Sequence, residues 1–246
     1  MATSKTVTFF DLPSREPRRS WSFNPLKTRL YLNYKNIPYT TKWVNYPDIP
    51  ALLSSQVTPH PDGTAIKPYT IPAVMLPDGK YLQESQTIAE KLNEMYPTPE
   101  LKIQTPTLTE VMDLISKIIT GSLPDIMARI PERFLDKKDE EYWYPDREKM
   151  LGMPVKELQD TCGGAKVTEK VAEPVRAMGK ILVKSGGPFF EGEQVTYADF
   201  VWAAFLIFLE RLGSDAFDTI IVEERQAHVR LLEEVKRKGW NKRDDH

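Results

Sequence analysis

The sequence predicts a mixed α/β N-terminal domain followed by an all-α C-terminal domain, and three observations carry that prediction. Runs rich in β-branched and aromatic residues, which read as strands, all fall before Ser85. A proline-rich stretch, Tyr96-Pro97-Thr98-Pro99-Glu100, then interrupts the chain as a linker would. From Thr107 onward apolar residues recur with helical spacing, and no run reads as a strand.

Thr6 to Leu12 is β-branched and aromatic and is broken by Pro13-Ser14, so it reads as the first strand. After a loop from Ser14 to Ser22, Leu26, Leu30 and Tyr34 mark one face of a helix over Pro25 to Lys35, with Tyr31 flanking. Asn24 supplies an N-cap ahead of a proline at the first helical position. Tyr39 to Tyr46 is the second strand, ended by Pro47, and Asp48 to Ser54 has room for a short helix that Pro50 limits to about one or two turns. Gln56 to Tyr69 carries three prolines and an Asp62-Gly63 turn pair, a loop long enough to suspect function. Ile71 to Leu76, the turn Pro77-Asp78-Gly79-Lys80 and Tyr81-Leu82 form a hairpin, and a helix runs from Ser85 to Met95. Strand, helix, strand, short helix, hairpin, helix is the thioredoxin-like order.

In the second half, Val111, Leu114, Ile115 and Ile118 mark one helix face, and Val155 to Gln159 and Val167 to Lys184 mark others. Tyr197 to Leu212 is the strongest helix. Thr196 at its cap and Asp199 three residues on form an acidic capping box, and Val195 and Phe200 stand at the staple positions. Lys236 to His246 is mixed in charge and reads as a frayed tail.

Composition excludes several classes. The 246 residues are 41% hydrophobic and 28% charged, a globular balance rather than a disordered one. Lys+Arg 33 against Asp+Glu 35 leaves a net charge of -2, so no nucleic-acid partner is expected from bulk charge. The longest apolar run, Phe200 to Leu209, falls short of the roughly 20 residues that span a bilayer, and no membrane partner is expected. The N-terminus lacks a secretory pattern, which points to a cytoplasmic protein. The single Cys162 excludes an intrachain disulfide framework. With His60, His228 and His246 far apart, no metal site is expected.

Four sites taken together resemble the cytosolic glutathione transferases: Ser22 to Arg29 at the first helix, Thr70-Ile71-Pro72 before the hairpin, Glu84-Ser85 opening the next helix, and Thr196-Tyr197-Ala198-Asp199 in the helical half. Trp21-Ser22, Trp43 to Ile49 and Asp146 to Gly152 look like the fungal, etherase-related class. The resemblance implies glutathione as co-substrate, with residues 1–96 binding it and 97–246 shaping a site for a hydrophobic electrophile. It also implies a homodimer and a thiolate that attacks carbon by addition or displacement, aryl ethers included. A non-catalytic carrier of hydrophobic molecules, or a glutathione-dependent isomerase or biosynthetic enzyme, fits the same pattern.

Each site residue has a chemical rationale beside a plainer one. Backbone amides at a helix N-terminus and the Ser85 hydroxyl can hold the γ-glutamyl carboxylate, while Glu84 can pair with the α-ammonium; the pair also reads as an ordinary cap. The family places a cis proline at Pro72, which turns the Ile71 backbone to pair with the cysteinyl part of the tripeptide; a proline simply starting a strand is the alternative. Ser22 can donate a hydrogen bond to the thiolate sulfur, with Asn24 as substitute donor and Ser20 as a weaker rival. Lys42 and Lys67 can reach the glycyl carboxylate, or remain solvated charges. Tyr142-Trp143-Tyr144, with Met150 and Met153, can line the second-substrate pocket or simply pack a core. Cys162 beside Gly163-Gly164 reads as a loop cysteine, and no cysteine stands near the first helix for thiol exchange.

Overall fold

The computed structural model describes residues 6–61 and 67–243, so the Asp62-Gly63 turn lies outside the described residues. Four strands, β1 (Val7–Asp11), β2 (Tyr39–Trp43), β3 (Ala73–Met75) and β4 (Tyr81–Gln83), form one sheet in the order β2-β1-β3-β4. β1 pairs in parallel with β2 and antiparallel with β3, so Phe9 lies opposite both Thr41 and Val74. Because β1 is an interior strand covered on both faces, it is buried almost throughout, whereas edge strand β2 alternates and turns Lys42 to solvent. Helices α1 (Phe23–Tyr34), α2 (Ile49–Leu53) and α3 (Ser85–Met95) complete this layer.

The helical half comprises α4 (Pro106–Phe134), α5 (Lys137–Leu151), α6 (Val155–Cys162), α7 (Ala165–Ser185), α8 (Tyr197–Leu212), α9 (Ser214–Ile220) and α10 (Arg225–Arg237). At its centre is α8, buried at every position except Glu210 and Arg211, as its all-round apolar sequence requires. Its capping box is closed: the Thr196 amide and hydroxyl donate to Asp199 Oδ2 at 2.7 and 2.9 Å, and the Phe190 amide donates to Oδ1 at 2.8 Å. α4 continues through Pro124 and Pro131 to Phe134 because its apolar face packs on α7 and α8, which outweighs the roughly 3 kcal/mol a proline costs inside a helix.

The two halves share a core. α1 packs on α8, and Trp21 stacks on Phe134 with ring centroids 4.4 Å apart. Inside α1, Arg29 is buried and donates to Asp11 Oδ2 at 2.9 Å and to Thr41 Oγ1 at 3.2 Å. The C-terminal segment corrects the expectation of a frayed tail as far as Arg243. Trp240 packs among Tyr34, Phe189 and Phe200, and Asn33 donates to the carbonyls of Trp240 and Lys242 at 2.6 and 2.8 Å. Arg243 lies 4.1 Å from the Tyr39 ring centroid. Mixed charge hid a segment whose aromatic and backbone groups close the outer side of α1.

Candidate active site

A cleft of about 410 Å³ opens between the sheet layer and the helical half. From the first half it is lined by Trp21 to Asn24, Tyr46 and Pro68 to Ile71, and from the second by apolar residues of α4, by Tyr142 and Trp143 of α5, and by Phe205 and Phe208 of α8.

Ser22, not Asn24, is the N-cap of α1, which moves Asn24 into the first turn and Pro25 to the third helical position, a correction of two residues. Asn24 sits exposed on the cleft wall, so a cap does not explain it. Ser22 is half-buried, its carbonyl accepts from the Leu26 amide at 3.0 Å, and its hydroxyl makes no cap bond. That hydroxyl therefore stays available to a cleft ligand. Ser20 faces inward instead, fully buried and outside the cleft lining.

Pro72 follows a cis peptide bond. The turn is held by its neighbours, because the Thr70 amide donates to Gln83 Oε1 at 3.0 Å and Gln83 Nε2 donates to the Thr58 carbonyl at 3.0 Å. Ile71, at the cis bond, lines the cleft.

Glu84 is the N-cap of α3 and Ser85 its first residue, so the cap expected at Ser85 stands one residue earlier. Glu84 has φ 75°, a region that non-glycine side chains adopt at a cost and that clusters at functional sites. Its carboxylate is half exposed and lies 3.2 Å from His60 Nε2, and the Thr70 hydroxyl donates to it at 3.1 Å. Behind it sits Lys27, which sequence reasoning missed: the side chain is buried, with Nζ 4.5 Å from the Phe23 ring centroid. Burial pushes its pKa down to about 8, with the Glu84 charge acting in the opposite direction. A polar residue on the otherwise apolar face of the first helix was the available signal.

The two lysines separate. Lys42 is exposed on β2 and does not line the cleft, which removes the expected reach toward a ligand there. Lys67 lines it, paired with Asp146. Of the aromatic triplet, Tyr142 and Trp143 line the cleft, whereas Tyr144, Met150 and Met153 are exposed outside it. α5 turns only one face inward; Tyr144 and Met150 lie off that face, and Met153 lies beyond the helix end. Among the described residues, no group of His, Cys, Asp and Glu could hold a metal ion, and no helix is long and apolar enough to cross a membrane.

A thioredoxin-like sheet layer and a helical half enclose a cleft with a hydroxyl at the first helix N-terminus, an arrangement that defines the architecture and not the activity. Comparison gives the particular family. The profile described as "Glutathione S-transferase, N-terminal domain" matches residues 21–95, and "Glutathione S-transferase, C-terminal domain" matches 108–236. The "Glutathione S-transferase-like protein ustS" of Aspergillus flavus is 33% identical, the match covering 87% of this chain and 83% of that one. The chain belongs to the glutathione S-transferase family. Among solved structures, glutathione transferase GSTFuA2 of Phanerochaete chrysosporium superposes with a TM-score of 0.82 at 22% identity, covering 96% of this chain and 98% of that one. The glutathione S-transferase CsGST63524 of Ceriporiopsis subvermispora, solved in complex with glutathione, gives 0.77 at 25% identity, covering 95% and 97%.

Proposed function

We propose that this protein binds glutathione through residues 1–96, activates its thiol and directs the thiolate at an aromatic electrophile held by residues 97–246. The observation that carries this reading is the Ser22 hydroxyl, unused by its helix, on a residue that lines the cleft together with Ile71 and the apolar side chains of α4 and α8. In this reading Glu84 and the N-terminus of α3 hold the γ-glutamyl end, the Ile71 backbone pairs with the cysteinyl residue, and Ser22 donates to the sulfur, with Asn24 beside it as second donor. In the same reading Lys67, which lines the cleft, meets the glycyl carboxylate. Stabilising the anion lowers the thiol's ordinary pKa of about 8.5 and raises the nucleophile fraction at neutral pH. The thiolate then forms a carbon–sulfur bond, and in a displacement the leaving group departs with the electron pair, an aryloxide in the case of an aryl ether. The protein acts in the cytoplasm as a homodimer, for which light scattering should report twice the monomer mass.

The test is a pH titration of bound glutathione followed by thiolate absorbance. In wild type the sulfur should titrate below free glutathione. Ser22→Ala should raise that pKa and slow conjugation at neutral pH by about 10-fold or more, since a hydrogen bond to a charged group is worth roughly 1.5 to 3 kcal/mol. A shift confined to Asn24→Ala transfers the role to Asn24, and no depression in any of the three rejects thiolate activation.

A further inference from the structure

The cleft carries formal charge at one place among its described lining residues. Among the described residues lining it, the charged side chains are Lys67, Asp146 and Arg147, so two cations share one carboxylate. Asp146 uses one oxygen for each, Oδ1 for Lys67 and Oδ2 for Arg147, and the three together carry one positive charge in excess. Arg147 is well shielded, its side chain 15% exposed against 42% for Lys67. Its guanidinium lies 5.6 Å from the Tyr46 ring centroid and 5.5 Å from that of Trp143, both on the cleft wall. The Tyr46 phenol is neutral at pH 7 in any case, its ordinary pKa near 10 being pushed up to about 12 by burial, so it adds no second anion. Asp139, the other acid near Tyr46, does not line the cleft and is taken up by the Asn45 side chain at 2.9 Å and the Tyr46 amide at 2.8 Å.

We infer that the second substrate of this cleft is an aromatic compound bearing a carboxylate, with the ring against the Tyr46, Tyr142 and Trp143 wall and the carboxylate on the guanidinium of Arg147. The inference rests on assigning the cleft to an electrophile under the function proposed above. A planar guanidinium has five N–H donors in a fork that matches a carboxylate; Asp146 Oδ2 engages one nitrogen and the Tyr46 side chain accepts a further hydrogen bond, so the remaining N–H groups are the ones assigned to the ligand. A shielded cation in an apolar setting also discriminates against neutral ligands, which would leave its donors unpaired. The competing source of the same chemistry is the glycyl carboxylate of glutathione. Lys67, on the sheet-layer side of the cleft, is the cation placed for that group, whereas Arg147 projects from α5 in the helical half.

The test is equilibrium dialysis of 4-nitrobenzoate and of methyl 4-nitrobenzoate against wild type, Arg147→Gln and Arg147→Lys, each with and without saturating S-methylglutathione. Wild type should bind the acid at least about tenfold more tightly than the ester, as expected for one charge-assisted hydrogen bond. Arg147→Gln should remove that preference, and Arg147→Lys, which keeps the charge, should retain part of it. S-methylglutathione should leave the preference in place. Equal binding of acid and ester by wild type overturns the inference, as does a preference unchanged in Arg147→Gln. A preference that disappears with S-methylglutathione also overturns it, because the cation then serves the tripeptide. Dialysis requires no turnover, so a protein with the preference but no depressed thiol pKa loses the thiolate-activation reading and keeps this ligand class.

Discussion

Replacing Lys27 by methionine should stabilise the protein at neutral pH, which is unusual for a change at a buried position. The ammonium is buried, touches the Phe23 ring, and has its pKa pushed from 10.5 to about 8 chiefly by loss of water. At about 1.4 kcal/mol per pH unit this displacement is a cost of roughly 3 kcal/mol to the folded state. The contact of Nζ with the Phe23 face returns about 0.5 to 2 kcal/mol of that, and the variant forfeits it. Lys27→Met should therefore gain about 1 to 3 kcal/mol at pH 7. The sign follows from proton counts: below about pH 8 both folded and unfolded lysine are charged and the whole cost is present. Between about 8 and 10.5 the folded state sheds its proton while the unfolded chain keeps it, so wild type gains stability as pH rises and the difference from the variant shrinks. Urea unfolding of both proteins at pH 7 and pH 10, followed by fluorescence and circular dichroism together, checks the trend. A variant less stable at pH 7, or a gain that does not narrow by pH 10, refutes the account of Lys27 as a charge held against its desolvation cost.

Three further outcomes follow from the same geometry. Glu84→Ala should weaken glutathione binding by about 1.5 kcal/mol or more, near tenfold by calorimetry, because a carboxylate already fixed at the start of α3 is lost. An unchanged affinity would remove Glu84 from the site. Asp11→Ala should cost about 3 to 5 kcal/mol in chemical denaturation, since it strands Arg29 inside the fold, and combining it with Arg29→Met should recover part of that loss. Gly187→Ala should lower the melting temperature by about 4 °C or more, as the added Cβ would sit 2.2 Å from the Gly192 carbonyl; a melting temperature within about 1 °C of wild type would show that this turn can open freely.

The order of elements was legible because its signals are local. Ser85–Met95 and Tyr197–Leu212 have the boundaries that hydrophobic spacing and caps assign, since a capping box and a proline stop act within a few residues of the helix ends they define. α5 was not resolved as an element: Pro145 and a run of charges blur its periodicity, and the helix is marked instead by Asp136 capping the Asp139 amide at 2.9 Å and by Gly152 in the left-handed region at φ 73°. Sequence also nominated Ser22 and Ile71, which line the cleft, because the types of residue that bind charged ends or stabilise a thiolate are few.

What the sequence could not decide was which of those side chains meet. Ser22 rather than Asn24 caps the first helix because that helix begins at Phe23, which packs there against Phe205 of α8, 182 positions away in the chain. Lys42 and Lys67 are equivalent as letters, yet one points out from an edge strand and the other reaches an acid on α5. Lys27 carried only the signal of a polar residue on an apolar helix face, and Arg147 carried none. Burial, which sets the pKa of the first and the reach of the second, is a property of what the rest of the chain packs around them. The sequence by itself determined the two-layer architecture and the residue types at the cleft; the tertiary structure decided which charges are shielded there, because the dielectric around a side chain is fixed by distant neighbours rather than by adjacent ones.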